Sequence, residues 1–321
     1  MAQHLLELSP THVLDPMGGT GTVSHALSLL GIEVTYGDLF RFNVQAARGL
    51  FTSNKENVLQ ARRAVQTAIS CDGIITREFS GMFFTDDENR WLDGVMKKIG
   101  FGKAEGYRNV LFYALAQACL KKRPYNLFHR ANLYMRLSDV PRTFGNLVTW
   151  NTSFVDHINT SLLDAIRVSE SLVAPITVVD ACDATDHKGN FDLVYVDPPY
   201  FRKKSSTDSY MRRYHFLEGL ANYSNWHTLF DVNSGVKEFK QECRPSEWDS
   251  ADKVLAGIFS VAETYSRASL AISYVDEEEP SIRRITHALK KVRKKVRHVS
   301  IATSTALSNS TRREMLIIAT N

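Results

Sequence analysis

The chain has 321 residues, of which 44% are hydrophobic and 23% charged, which suits a folded protein with one large domain or a core domain carrying a second. No apolar run approaches the roughly 18 residues of a membrane-spanning helix, and the first ten residues lack the basic-then-apolar order of a signal peptide, so a cytoplasmic protein with no membrane partner is expected. The net charge of +4 permits nucleic-acid binding through a local patch without demanding it, and the four cysteines, Cys71, Cys119, Cys182 and Cys243, stand too far apart for a disulfide framework or a zinc-ligand pair.

Residues 11–15 form a short apolar run that ends in Asp-Pro and meets a glycine-rich turn at once. Val23, Ala26, Leu27 and Leu30 then recur at helical spacing until Gly31, and residues 33–38 read as a second strand ending in Asp38. The opening is therefore a βαβ unit. From residue 43 to 172 strand signals fade, and apolar residues three or four apart predict helices over 57–69, 87–99, 108–121 and 154–172. Strands resume at 176–180 and at 191–196, the latter apolar almost throughout, as a central strand covered on both faces should be. A helix over 247–265, with Ser246 and Asp249 as its capping residues, a strand over 269–275, a helix opened by Pro280, and strands over 296–302 and 314–320 complete the chain. Strands alternating with helices around one insertion predict an α/β doubly wound sheet made of residues 1–42 and 173–321, with residues 43–172 as a mainly helical inserted domain.

Two motifs carry chemistry. The first is Asp15-Pro16-Met17-Gly18-Gly19-Thr20-Gly21-Thr22, whose glycines let the backbone pass close to a ligand. By itself it also reads as a tight strand-to-helix connection. The second is Asp197-Pro198-Pro199-Tyr200, which follows the apolar strand 191–196 directly. Two consecutive prolines restrict the backbone and present Asp197 and Tyr200 in one fixed arrangement, although Pro-Pro is also an ordinary way to end a strand.

Together these motifs resemble the S-adenosylmethionine-dependent, adenine-specific amino DNA methyltransferases in which target recognition is inserted between the cofactor motif and the catalytic motif. The first motif matches Asp-Pro-Phe-x-Gly-x-Gly-Thr, with Met17 in place of phenylalanine. The resemblance implies a Rossmann-like methyltransferase sheet, restriction–modification as the setting, and double-stranded DNA as the partner. It also implies a cofactor site of Asp15, Pro16, Gly18, Gly19, Gly21 and Thr22, with Asp38 on the ribose hydroxyls and Asp183 on the adenine amine. Asp180 competes for that last role. Adenine's exocyclic nitrogen is a poor nucleophile because its lone pair is delocalised into the ring. Asp197 and the Pro198 carbonyl can accept hydrogen bonds from its two hydrogens, Pro199 keeps the loop rigid, and Tyr200 offers a ring to a base flipped from the duplex. Relatives of this kind also carry a cofactor motif upstream of the glycine turn. Residues 1–12 do not, so a partner subunit or a preceding segment is expected to complete the pocket, and weak cofactor binding by the chain alone follows.

Cations interleave with aromatics at Lys121, Lys122, Arg123, Tyr125, Asn126, His129 and Arg130, a composition suited to phosphate contact, base-edge reading and stacking. It suits a solvated helix end equally. A second basic stretch follows the catalytic motif at Arg202, Lys203, Lys204, Arg212 and Arg213, whereas residues 290–297 read as the exposed face of a late helix. An RNA adenine methyltransferase and a non-catalytic nucleic-acid-binding protein built on the same fold are the competing readings.

Overall fold

The computed structural model describes residues 2–100, 105–124, 127–139, 147–201, 210–243, 248–304 and 311–321. In chain order the elements begin with α1 (Ala2–Leu6), β1 (His12–Asp15), α2 (Thr22–Leu29), β2 (Glu33–Tyr36) and α3 (Arg41–Phe51). Helices α4 (Lys55–Gln66), α5 (Ile74–Glu78), α6 (Asp86–Ile99), α7 (Tyr107–Lys121), α8 (Tyr134–Leu137), α9 (Leu147–Asn151) and α10 (Phe154–Ser171) follow. Then come β3 (Ile176–Val178), β4 (Leu193–Val196), α11 (Tyr210–Ala221), α12 (Trp226–Leu229), α13 (Ala251–Thr264), β5 (Ser269–Val275), α14 (Ile282–Leu289), β6 (Lys295–Ser304) and β7 (Thr311–Thr320). Two compact units result. One comprises Met1–Asn43, Leu172–Thr207 and Pro245–Asn321, the other Val44–Ser171 and Asp208–Arg244.

In the first unit, among the described residues, seven strands form one sheet in the order β3-β2-β1-β4-β5-β7-β6. The first five are parallel to one another, and β7 runs antiparallel to both β5 and β6. This is the α/β doubly wound, Rossmann-like sheet expected from the sequence. All four side chains of β4 are buried, as a strand covered on both faces requires. Leu14, Val194, Val196, Leu270 and Ile272 pack in one core with Val254, Ile258 and Val261 of α13 and with Ile285 and Leu289 of α14. The spacing of the α13 residues, four then three, puts all of them on one helical face. The chain leaves β1 toward β2 and β3, then returns to β4 on the opposite side of β1. That reversal opens a crevice at the carboxyl ends of β1 and β4, where the two sequence motifs begin.

Several boundaries differ from the sequence expectation. Helix α13 starts behind Ser250, whose hydroxyl accepts from the Lys253 backbone N–H at 3.4 Å, and the expected cap Ser246 lies outside the described residues. The basic run 290–297 is no helix face. Helix α14 ends at Leu289, Arg293 turns inward to donate to the Tyr265 carbonyl at 3.0 Å, and Lys295 and Arg297 are exposed on the edge strand β6. Exposed cations on an edge discourage the pairing of a further strand.

The second unit is helical among the described residues, and it takes in residues 208–244, which the sequence reading assigned to the sheet domain. The reason lies in its core. Phe216 of α11 stacks on Phe128 at 4.9 Å, and Trp226 of α12 lies 4.8 Å from Phe79, so burial of large aromatic faces carries these helices into the inserted unit. Helix α6 opens with a capping box in which Thr85 and Glu88 satisfy each other's backbone N–H groups. Glu88 also binds Arg136 through both carboxylate oxygens, at 2.8 and 2.9 Å, and Lys122 at 2.9 Å. Buried cations need such partners.

Candidate active site

The turn after β1 is closed by backbone geometry before any side chain acts. The Gly37 N–H donates to the Asp15 carbonyl at 2.8 Å, the Gly18 N–H to the Gly37 carbonyl at 2.9 Å, and the Gly21 N–H to the Gly18 carbonyl at 2.7 Å. Gly21 is left-handed (φ 78) and serves as N-cap of α2, which Thr22 opens. Gly18 is glycine for a different reason: a Cβ there would lie 2.1 Å from the Tyr36 ring. Tyr36 in turn donates its hydroxyl to the Gly19 carbonyl at 2.7 Å, and a Cβ on Gly19 would lie in ordinary contact with the Met17 carbonyl at 3.9 Å.

Asp15, which Pro16 follows, is buried, and its Oδ2 accepts from the Ser24 hydroxyl at 2.6 Å. Burial pushes its pKa up to about 7 against the opposing Ser24 hydrogen bond, and the like charges of Asp197 and Asp38 add to the rise. Asp38 is also buried and also raised by burial. It accepts from the Phe40 N–H at 2.8 Å, the Gly19 N–H at 2.9 Å and the Asn43 side-chain amide at 3.1 Å. As placed, Asp38 braces the glycine turn.

Asp197, Pro198, Pro199 and Tyr200 leave the end of β4 beside that turn. Asp197 is exposed at the surface, and the Tyr200 hydroxyl donates to its Oδ1. Protein on its other sides desolvates the carboxyl and raises its pKa, opposed by the Tyr200 hydrogen bond and reinforced by Glu314 of β7, although its open face limits the effect. Burial lifts the Tyr195 and Tyr200 phenols well above the usual tyrosine range, a rise that the nearby Ser273 of β5 slightly opposes at both. The Tyr200 ring meets Tyr274 edge-on at 5.3 Å. One residue later, Phe201 and Glu279 exchange backbone hydrogen bonds at 2.7 and 3.3 Å, which ties the loop after β4 to the loop after β5.

The loop after β3 sits beside the end of β2. The Cys182 N–H donates to the Asp38 carbonyl at 3.3 Å, and the His187 ring lies where a Cβ on Gly37 would be. Asp183 accepts from the Thr185 N–H at 3.0 Å, the Thr185 hydroxyl at 2.8 Å and the Trp248 indole N–H at 3.3 Å. Asp180 is exposed instead.

The expected nucleic-acid residues divide. Arg123 is fully buried, its guanidinium 4.5 Å above the Phe83 ring and donating to the Leu127 and Arg130 carbonyls at 2.9 and 2.8 Å, so it shapes the loop from within. Lys122 is likewise buried against Glu88. His129 is half-buried, and Arg130 and Arg212 are exposed, the latter paired with Glu238 at 2.7 Å. Tyr125, Asn126 and Lys203 lie outside the described residues. Two stretches that the sequence places far apart meet within the second unit, where the Phe128 N–H donates to the Arg213 carbonyl at 2.9 Å and His215 hydrogen-bonds the Phe128 carbonyl at 3.0 Å.

Sequence reasoning missed Tyr36, Ser24, Ser273 and Trp248. Ser24 left no distinct signal, because α2 also carries Thr22, His25 and Ser28. The others depend on neighbours distant in the chain.

No family model matches the chain. Over 220 residues it is 25% identical to the Type II methyltransferase M2.HphI of Haemophilus parahaemolyticus. This chain is similar to a methyltransferase. The matched stretch covers 62% of this chain and 62% of that protein, so the chain spans less than two thirds of its relative's length.

Proposed function

We propose that this chain transfers a methyl group from S-adenosylmethionine to the N6 amine of adenine in double-stranded DNA, acting on a base flipped out of the helix. The observation that carries this reading is the adjacency of Asp197-Pro198-Pro199-Tyr200 to the glycine turn of Asp15 to Thr22, on neighbouring strands at the crevice of the sheet. The turn suits the cofactor because its glycines let the backbone approach a ligand closely, and Asp183 offers a carboxylate on the adjacent loop. When bound, the cofactor supplies a methyl group already activated by its sulfonium charge.

The chain's own residues then have distinct tasks. Asp197, when ionised, accepts a hydrogen bond from the target amine, favours a tetrahedral nitrogen and stabilises the positive charge that develops on it. Tyr200 presents its ring to the base, and its hydroxyl holds the Asp197 carboxylate in orientation until the amine takes that place. The prolines and the Phe201–Glu279 backbone pair fix the loop, which suits a reaction that depends on alignment. Arg130 and Arg212 are suited to reach DNA, and pairing with a restriction enzyme fits the relative's Type II description.

Asp197→Ala tests the assignment. Methyl transfer from tritiated cofactor to DNA should be lost, while the fold and most DNA affinity are kept, because the Asp197 hydrogen bond acts mainly in the transition state. Undiminished turnover would remove Asp197 from the mechanism, and transfer to RNA in preference to DNA would reassign the substrate.

A further inference from the structure

The Asp183 carboxylate is held more firmly than a loop carboxylate needs to be. Its Oδ1 takes both the N–H and the hydroxyl of Thr185, and its Oδ2 takes the indole N–H of Trp248, a residue 65 positions away that precedes α13. Trp248 itself is only 8% exposed, and it is seated where Gly257 of α13 leaves room: a Cβ on Gly257 would lie 2.6 Å from the indole ring. Asp183, Thr185, Trp248 and Gly257 all line one open cleft. A carboxylate oxygen has two lone-pair directions, so with one of them on Trp248 the second remains for a ligand. The residue before Asp183 is tied to the turn through Asp38: the Cys182 N–H donates to the Asp38 carbonyl at 3.3 Å, and the Asp38 carboxylate accepts from the Gly19 N–H at 2.9 Å.

Resting on the cofactor reading above, we propose that Trp248 is a positioning residue for purine recognition: its indole N–H aims Asp183 so that Oδ2 accepts a hydrogen bond from the exocyclic amine of the cofactor's adenine. Asp180, exposed and without a place in the cleft, is not the adenine contact. Gly257 serves the same recognition by giving the indole its seat. A hydrogen bond between a neutral donor and an oriented carboxylate discriminates against a ligand that presents an acceptor instead, because the two acceptors then face each other unpaired.

The test is calorimetric binding of two probes to the full chain, S-adenosylhomocysteine and S-inosylhomocysteine, which differ in carrying an amine or a carbonyl on the purine. The wild type should prefer the adenosyl compound by about tenfold or more, the factor expected for one hydrogen bond to a charged group. Trp248→Phe, and independently Gly257→Ala, which displaces the indole without removing it, should bring the preference down to about threefold or less. Asp183→Asn should also bring it down to about threefold or less, since an amide can turn either its oxygen or its N–H to the purine. Circular dichroism identifies which variants fold, and a folded variant that still binds the inosyl compound as the wild type does while losing affinity for the adenosyl one has lost the recognition and not the structure. Retention of the full preference in the folded Trp248 and Gly257 variants, or no preference in the wild type, overturns the proposal while leaving cofactor binding in place. Binding of neither probe by the wild type even at about millimolar concentration, where weak association still registers, overturns the cofactor reading and this inference with it.

Discussion

A carboxylate that accepts hydrogen bonds from an amine works only while it is ionised, so the surroundings of Asp197 set the acid limit of the proposed activity. Desolvation and Glu314 raise its pKa, and the Tyr200 hydroxyl, which donates to the ionised form, opposes that rise. Tyr200→Phe keeps the ring and removes the donor. The carboxyl then gains protons more readily, so the acid limb of the pH–kcat profile should move to higher pH while the rate well above that limb stays within about tenfold of wild type. An acid limb that stays in place or moves to lower pH would mean that the phenol does not hold the catalytic carboxylate. Asp15 is a related case one strand away. With a pKa near 7 it gains its charge only near neutral pH, and that charge is stabilised locally by Ser24.

At the scale of elements, α13 connects the sheet's core to the loops at its edge. Val254, Ile258 and Val261 fasten it beneath Leu14 and Val194, the apolar residues of the two strands that carry the motifs. Fully burying an aliphatic side chain contributes about 1.5–3 kcal/mol, and removing one adds the cost of the cavity left behind. Ile258, 1% exposed, is therefore expected to lose roughly 2–5 kcal/mol of stability on replacement by alanine, read from the shift in a urea denaturation midpoint. Leu255→Ala on the same helix is not the control, because the half-buried Leu255 packs against that core as well. Glu263→Ala serves, since Glu263 is exposed near the helix end. An Ile258→Ala loss below about 1 kcal/mol would show that α13 does not secure the sheet in the way its burial implies.

For the molecule as a whole, the division into a sheet unit and a helical unit separates proposed chemistry from proposed recognition. Within the helical unit the exposed cations Arg130 and Arg212 belong to segments joined by the Phe128–Arg213 hydrogen bond, while Arg123 is interior. Arg212→Ala, as loss of a phosphate contact, should weaken binding to cognate and scrambled duplexes alike and reduce the salt slope by about one. Arg130→Ala, as loss of a base-edge reader, should forfeit about 1–3 kcal/mol of discrimination between the two duplexes. Titrations at several salt concentrations separate these effects, with the cognate site taken from sequencing of methylated DNA. No change in slope or discrimination in either variant would move recognition to other residues. Among the described residues no helix is long and apolar enough to cross a membrane.

What the sequence determined by itself is whatever depends on neighbours in the chain. The apolar run of β4, the glycine turn, the Asp-Pro-Pro-Tyr loop and the helical periods of α6, α7 and α10 are local patterns, and the fold class follows from their alternation. Tertiary structure alone decided the rest, because burial and close approach are made between residues far apart in sequence. Residues 208–244 joined the helical unit because aromatic burial with Phe79 and Phe128 outweighed their nearness in sequence to the catalytic loop. The run 290–297 looked like one charged helix face, but burial of Arg293 and pairing of β6 with β7 divided it. Arg123 and Lys122 carry the same charges as Arg130, yet only the packing of Phe83 and the position of Glu88 reveal that they face inward. Trp248 reaches Asp183 across 65 residues, a distance over which no spacing rule connects an indole to a carboxylate.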